Sequence, residues 1–147
     1  MGASIKNVIA IACGICDGLG LGTNAKAAIV TRGLVEMTRL GMALGARQET
    51  FYGLTGLGDL ITTCFSPTSR NRTVGEALGK GKSISVILKN MDAVAEGVVT
   101  ARAVYGLSRK RHIHMPIIEQ VYRIIFNRKD PKRAMKDLMH RSLKAEQ

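Results

Sequence analysis

A chain of 147 residues with 46% hydrophobic side chains is long enough for one domain with a real core, and too apolar for wholesale disorder. No apolar run reaches the ~20 residues that cross a bilayer, and no basic start leads into a cleavable apolar stretch, so neither stable membrane insertion nor secretion is expected. The formal charge of +11 is uneven: from Arg102 onward twelve Lys/Arg stand against four Asp/Glu, and upstream ten stand against seven. Such an excess attracts anions, whether nucleic acid, acidic lipid or phosphorylated small molecules.

From Ser4 to about Cys16 the sequence predicts a helix that is apolar nearly all round, hence buried. Lys6, with Asn7 beside it, is its one charge before Asp17. A lysine at the mouth of such a helix either snorkels into water or loses hydration and becomes a usable proton donor. Gly18 to Gly22 reads as a turn; its G-x-G-x-G spacing and the lack of a preceding strand exclude a dinucleotide loop. Asn24 is the expected cap of a helix over 25–44, whose Gly33 and Gly41 leave room for a close neighbour. Residues 49–52 suggest a short helical turn.

The stretch from Gly56 to Arg72 holds most of the chemistry. Asp59 is a carboxylate among apolar and small neighbours, a placement that calls for a partner. After the Ser66-Pro67 break, Ser69-Arg70-Asn71-Arg72 leads into a helix, with Thr73 and Glu76 at capping-box spacing. A helix start flanked by two arginines is an anion site, preferably for phosphate, or simply a solvated cap. Gly79-Lys80-Gly81-Lys82-Ser83 falls short of a phosphate loop, having Glu76 where glycine is required, and reads as a solvated loop capped by Ser83. Helices are predicted over 83–91, with Ile84, Ile87, Leu88 and Met91 inward, and from Glu96 to about Arg111. Two more follow, from Pro116 and from Asp130-Pro131 to about Leu143. About seven helices and no alternating strand make the class all-α.

Metal binding is not expected. Cys13-x-x-Cys16 lies on an apolar helix without a second pair, and His112, His114 and His140 lack further ligands at suitable spacing. Cys13, Cys16 and Cys64 form no disulfide framework, which points to a reducing, cytoplasmic setting.

Several segments together, in order, resemble bacterial NAD(P)-dependent glycerol-3-phosphate dehydrogenase. They are Lys6-Asn7-Val8-Ile9-Ala10-Ile11-Ala12, Asp17-Gly18-Leu19-Gly20, Thr31-Arg32-Gly33-Leu34-Val35-Glu36-Met37, Gly56-Leu57-Gly58-Asp59-Leu60, Ser69-Arg70-Asn71 and Ala95-Glu96-Gly97. The resemblance runs along essentially the whole chain and covers only the family's C-terminal, helical substrate-binding domain. It implies a helical bundle like the C-terminal domain of 6-phosphogluconate dehydrogenase-like enzymes, with residues 1–147 as one domain. It also implies that Met1-Gly2 aligns inside a longer protein whose N-terminal dinucleotide-binding domain is absent here. NAD or NADP would be bound mainly by that missing domain.

The family reduces dihydroxyacetone phosphate to sn-glycerol 3-phosphate for phospholipid synthesis, and its members are commonly dimeric. By the resemblance, Lys6 is the general acid/base, and Asp59 contacts the substrate or orients Lys6. Asn7 and Thr63 are neighbouring polar groups. Ser69, Arg70 and Asn71 hold the substrate phosphate, and Arg70, Val94 and Glu96 touch the cofactor. The isolated chain is then expected to fold without turning over substrate. The rival readings are a basic helical nucleic-acid-binding module, which lacks interleaved stacking aromatics, and a purely structural dimerisation domain.

Overall fold

The computed structural model describes the backbone of residues 2–145 and the side chains of residues 4–140. Eight α-helices fill it: α1 (Gly2–Leu19), α2 (Thr23–Ala43), α3 (Asp59–Phe65), α4 (Arg70–Gly79), α5 (Ile84–Lys89), α6 (Glu96–Lys110), α7 (Pro116–Phe126) and α8 (Pro131–Ala145). A 3-10 turn (Gln48–Phe51) and a π turn (Leu54–Gly58) link α2 to α3, and no strand occurs among the described residues. The all-α expectation holds. The helix beyond the expected seven is α3. Only Leu60 and Cys64 of it are buried, and its middle is Thr62-Thr63, so it carries neither a strong apolar stripe nor good helix formers.

Helix α1 is the axis of the bundle and packs against α2, α3, α4, α6, α7 and α8. Its continuous apolar sequence requires this: Val8 through Ile11, and Ala12, Cys13, Ile15 and Cys16, are all buried. Its closest neighbour is α4. A Cβ on Gly14 would lie 2.0 Å from the Arg72 carbonyl oxygen, and one on Gly75 would lie 2.0 Å from the Ile11 carbonyl oxygen. Gly18 against Glu76 (2.2 Å) and Gly79 against Ile15 (2.6 Å) continue the seam. Residue numbers rise together along it, so α1 and α4 run parallel and start at the same end of the molecule. Gly33 does leave room for α1, through the Ile9 side chain, but Gly41 makes room for the Phe51 ring rather than for another helix.

Two helix starts differ from expectation. Gly22, at φ 91°, precedes α2, so Thr23 and Asn24 lie inside the helix and no side chain caps it. Helix α4 begins at Arg70, with the Ser69 hydroxyl accepting the Arg72 amide, rather than at Thr73. Thr73 and Glu76 are therefore interior and form no capping box; the Thr73 hydroxyl donates to the Ser69 carbonyl. Helix α5 is capped by Ser83 as expected, but it stops at Lys89 and leaves Leu88 exposed. Asp130 caps α8 by accepting the Arg133 amide.

One acid shapes the far side of the bundle. Glu36 of α2 is buried and accepts the amides of Ile117 (2.8 Å) and Ile118 (3.3 Å), the first free donors of α7. Burial pushes its carboxyl up to about 7, against the opposing effect of those two amides and of Arg39 and Arg32. Between the ordinary value of 4.5 and about 7 the folded chain holds a proton that the unfolded chain has released, so stability falls as pH rises through that window.

Two predictions follow from the packing and this acid. Gly75→Ala lowers unfolding free energy by about 3 kcal/mol through overpacking of the seam. Gly106→Ala, at a position of α6 with open space around it, raises it by about 0.5 kcal/mol. Urea titrations of both variants check this pair. In urea titrations from pH 5 to pH 8 the wild type loses about 3 kcal/mol, and Glu36→Gln removes most of that slope.

Candidate functional site

At the end where α1, α4 and α6 begin lies a cleft of about 480 Å³. From α1 it takes Lys6 and Asn7, from α3 Thr62 and Thr63, from the start of α4 Ser69, Arg70 and Asn71, and from the α5–α6 connection Val94 to Glu96. Every residue expected at the site lines this cleft except Arg72, described below, and Asp59, which joins it through Lys6: the ammonium lies 3.4 Å from the Asp59 carboxylate. The Lys6 side chain is 25% exposed and that of Asp59 52%. An ion pair so open to water adds little to stability, so the fold does not require it.

The polar groups differ in what they have left to offer. The Asn71 side-chain oxygen is committed, accepting the Gly97 amide at 2.8 Å and so capping α6. Its side-chain NH2 remains for the cleft. The Thr63 hydroxyl donates to the Asp59 carbonyl at 2.7 Å, which leaves only its lone pairs for a ligand. Ser69 takes the Arg72 amide, and the Arg70 and Asn71 amides are the unfilled donors that a helix start carries. Arg70 is exposed where it lines the cleft.

Arg72 departs from the reading that placed two arginines at the anion site. Its guanidinium donates to Asp17 (2.8 Å), to Glu76 (2.8 Å) and to the Ser66 carbonyl (3.0 Å). With Asp17 and Glu76 on the face that α4 turns toward α1, a helix position two residues past Arg70 points away from the cleft. Hydrogen bonds from Lys80 and Arg72 hold the Glu76 carboxyl below its ordinary value.

The sequence reading missed Thr62, Ser66 and Thr68, which also line the cleft. The Ser66 and Thr68 hydroxyls lie 2.9 Å apart. The density of hydroxyls between Thr62 and Ser69 was the available signal. The cysteines, by contrast, are core residues. Cys13, Cys16 and Cys64 are buried, and the hydrogen bond with Cys64, together with burial, pushes the Cys13 thiol far above its ordinary range. A thiol held in that state is a poor nucleophile.

The domain is all-helical, and its cleft brings an ammonium–carboxylate pair together with an arginine at a helix start, groups whose chemistry suits a small polar anion. Comparison with known proteins gives the family. Residues 1–136 match the family model described as the NAD-dependent glycerol-3-phosphate dehydrogenase C-terminus. The chain is 56% identical over 146 residues to a glycerol-3-phosphate dehydrogenase [NAD(P)+] of Syntrophotalea carbinolica, covering 99% of this chain and 44% of that protein. Among solved structures, the glycerol-3-phosphate dehydrogenase of Coxiella burnetii superposes with a TM-score of 0.91 at 45% identity, over 94% of this chain and 44% of that one. The Saccharomyces cerevisiae enzyme gives 0.84 at 34% identity, over 91% and 40%. The chain belongs to the NAD-dependent glycerol-3-phosphate dehydrogenase C-terminal domain family, and it spans less than half the length of these relatives.

The double duty of Asn71 can be separated experimentally. Asn71→Asp keeps the acceptor for Gly97 and stays within about 1 kcal/mol of wild-type stability, whereas Asn71→Leu orphans that amide and loses about 2 kcal/mol. Thermal unfolding of the two variants distinguishes them.

Proposed function

We propose that this chain supplies the substrate-binding and proton-donating part of an enzyme that reduces dihydroxyacetone phosphate to sn-glycerol 3-phosphate. The observation that carries this reading is the Lys6–Asp59 pair at a cleft that Ser69, Arg70 and Asn71 also line. Lys6 donates its proton to the carbonyl oxygen as negative charge builds there, and the ammonium stabilises that charge. Asp59 orients the Lys6 ammonium. Arg70, the Asn71 NH2 and the open amides of α4 hold the phosphate. Fixing that group away from the reacting carbon lets binding energy position the carbonyl.

The cofactor of this reading is NAD or NADP, held mainly by a dinucleotide-binding domain outside this chain. The residues here suit its rim. Val94 is 67% exposed, an unpartnered apolar surface, and the neighbouring Glu96 offers a carboxylate to sugar hydroxyls, with Arg70 near by on the same cleft. When bound, the dihydronicotinamide supplies the hydride. The same reading makes the whole enzyme a cytoplasmic homodimer serving phospholipid synthesis, and makes the isolated chain inactive. Among the described residues no helix is long and apolar enough to cross a membrane.

Joined to a dinucleotide-binding domain, Lys6→Ala lowers kcat by about 10²- to 10⁴-fold, the range for a lost general acid. Arg70→Ala chiefly raises KM for dihydroxyacetone phosphate. Steady-state kinetics of the joined protein test both, and an undiminished kcat in the lysine variant defeats the proton-donor role. The isolated chain binds glycerol 3-phosphate by calorimetry and shows no NAD(P)H oxidation with dihydroxyacetone phosphate.

A further inference from the structure

Behind the cleft lies a charge cluster that no catalytic role uses. One oxygen of Asp17, near the C-terminal end of α1, accepts from Lys26 of α2 (2.9 Å) and from Arg72 of α4 (2.8 Å). Both cations are nearly enclosed, with side chains 9% and 13% exposed. Each reaches onward to the junction between α3 and the irregular stretch before α4, where Phe65 closes α3 and residues 66–69 lead to Arg70. The Lys26 ammonium sits 4.3 Å from the centre of the Phe65 ring, and the Arg72 Nε donates to the Ser66 carbonyl at 3.0 Å. Ser66, Thr68 and Ser69 of that segment line the cleft.

We propose that Asp17 is a positioning residue: through Arg72 and Lys26 it holds the Phe65–Ser69 segment in the shape that binds the substrate phosphate. The inference rests on the reading of the cleft given above. A purely stabilising role is the weaker explanation. Ion clusters this desolvated return little net stability, and their best-attested use is to fix geometry. The helices that carry the three charges already have apolar contacts, and α1 and α4 are joined by the glycine seam. Residues 66–69 lack regular structure; Arg72 holds their first carbonyl, at Ser66, and Lys26 holds the Phe65 ring immediately before them. A guanidinium serves here where an ammonium could not, because its fork satisfies Asp17, Glu76 and the Ser66 carbonyl together.

The test measures glycerol 3-phosphate binding to the chain by calorimetry, at a temperature where circular dichroism shows every variant folded. Asp17→Asn and Arg72→Lys weaken binding about tenfold, the size of coupling between groups in one network. In both variants the amides of Ser66 and Ser69 exchange with deuterium faster, while those of α7 keep the wild-type rate. Arg70→Ala serves as the control for the cleft and abolishes binding. Unchanged affinity in folded Asp17→Asn and Arg72→Lys, with the wild type binding, overturns the positioning role alone. A lower melting temperature with unchanged affinity overturns it in the same way. If the wild type itself fails to bind, the reading of the cleft falls and takes the positioning role with it.

Discussion

Backbone contact between α1 and α4 is the constraint from which the rest of the site follows. Four glycines, Gly14, Gly18, Gly75 and Gly79, let the two helices approach until one backbone lies where the other's side chains would be. At that separation they cannot slide or rotate independently, because each carbonyl sits opposite a position that admits no Cβ. Since the helices run parallel, the seam fixes both starts at one end. Lys6 and Asn7 on α1 are thereby set in register with Ser69, Arg70 and Asn71 on α4. Helix α6 is keyed to the same frame: Asn71 accepts the Gly97 amide, and Gly97 is itself packed tightly against the Asn7 carbonyl and Asn71. Lys6, the Ser69–Asn71 start of α4 and the Val94–Glu96 rim are then positioned by one rigid joint rather than by long-range accident.

Much of this was legible in the chain, though unevenly. The unbroken apolar run of α1 has one physical solution, burial on all sides, and α1 is indeed the axis. The Asp130-Pro131 start and the Ser83 cap are local devices whose chemistry acts within a few residues, so they could be read without knowing the fold. The candidate residues lie in one cleft because the family motifs that named them span the helices the seam brings together. The seam itself was not legible. Gly33 and Gly41 on the long second helix drew attention, whereas the four glycines at α1 and α4 only acquire meaning once the partner backbone is known. The capping box at Thr73 and Glu76 failed for a related reason. Ser69 offers an equally good cap four residues earlier, and starting there lets Glu76 pair with Arg72 and Lys80 and lets Asn71 reach α6. Tertiary partners settled a choice that local spacing left degenerate.

Charge is used differently in the interior and at the cleft. The chain carries a large positive excess, yet its two most consequential interior acids, Glu36 and Asp17, are not there to neutralise it. Glu36 satisfies the first amides of α7 and so substitutes a side chain for the missing turn of helix. Asp17 gathers two enclosed cations that also touch Phe65 at the end of α3 and Ser66 just beyond it. Neither was identifiable from spacing. A glutamate in mid-helix and an aspartate before a glycine turn are ordinary surface residues in most sequences; burial sets Glu36 apart, and the enclosed cations paired with it set Asp17 apart.

The Lys6–Asp59 pair contrasts with both. In the proposed reaction, a lysine that exchanges a proton with a substrate oxygen must be oriented without being consumed by its partner. At 3.4 Å the contact is at the loose limit of hydrogen bonding, and half of the aspartate surface faces water. An incoming oxygen can therefore take a share of the ammonium without breaking a tight, desolvated bridge, whose rupture costs about 3 kcal/mol or more. The Asp17 cluster, with contacts near 2.8 Å and nearly enclosed cations, would be a poor proton relay for that same reason, and a good brace. The fold thus places a rigid ionic joint behind the loop and a yielding one in front of it, which is the division of labour that the proposed site, holding one end of its substrate while reacting at the other, requires.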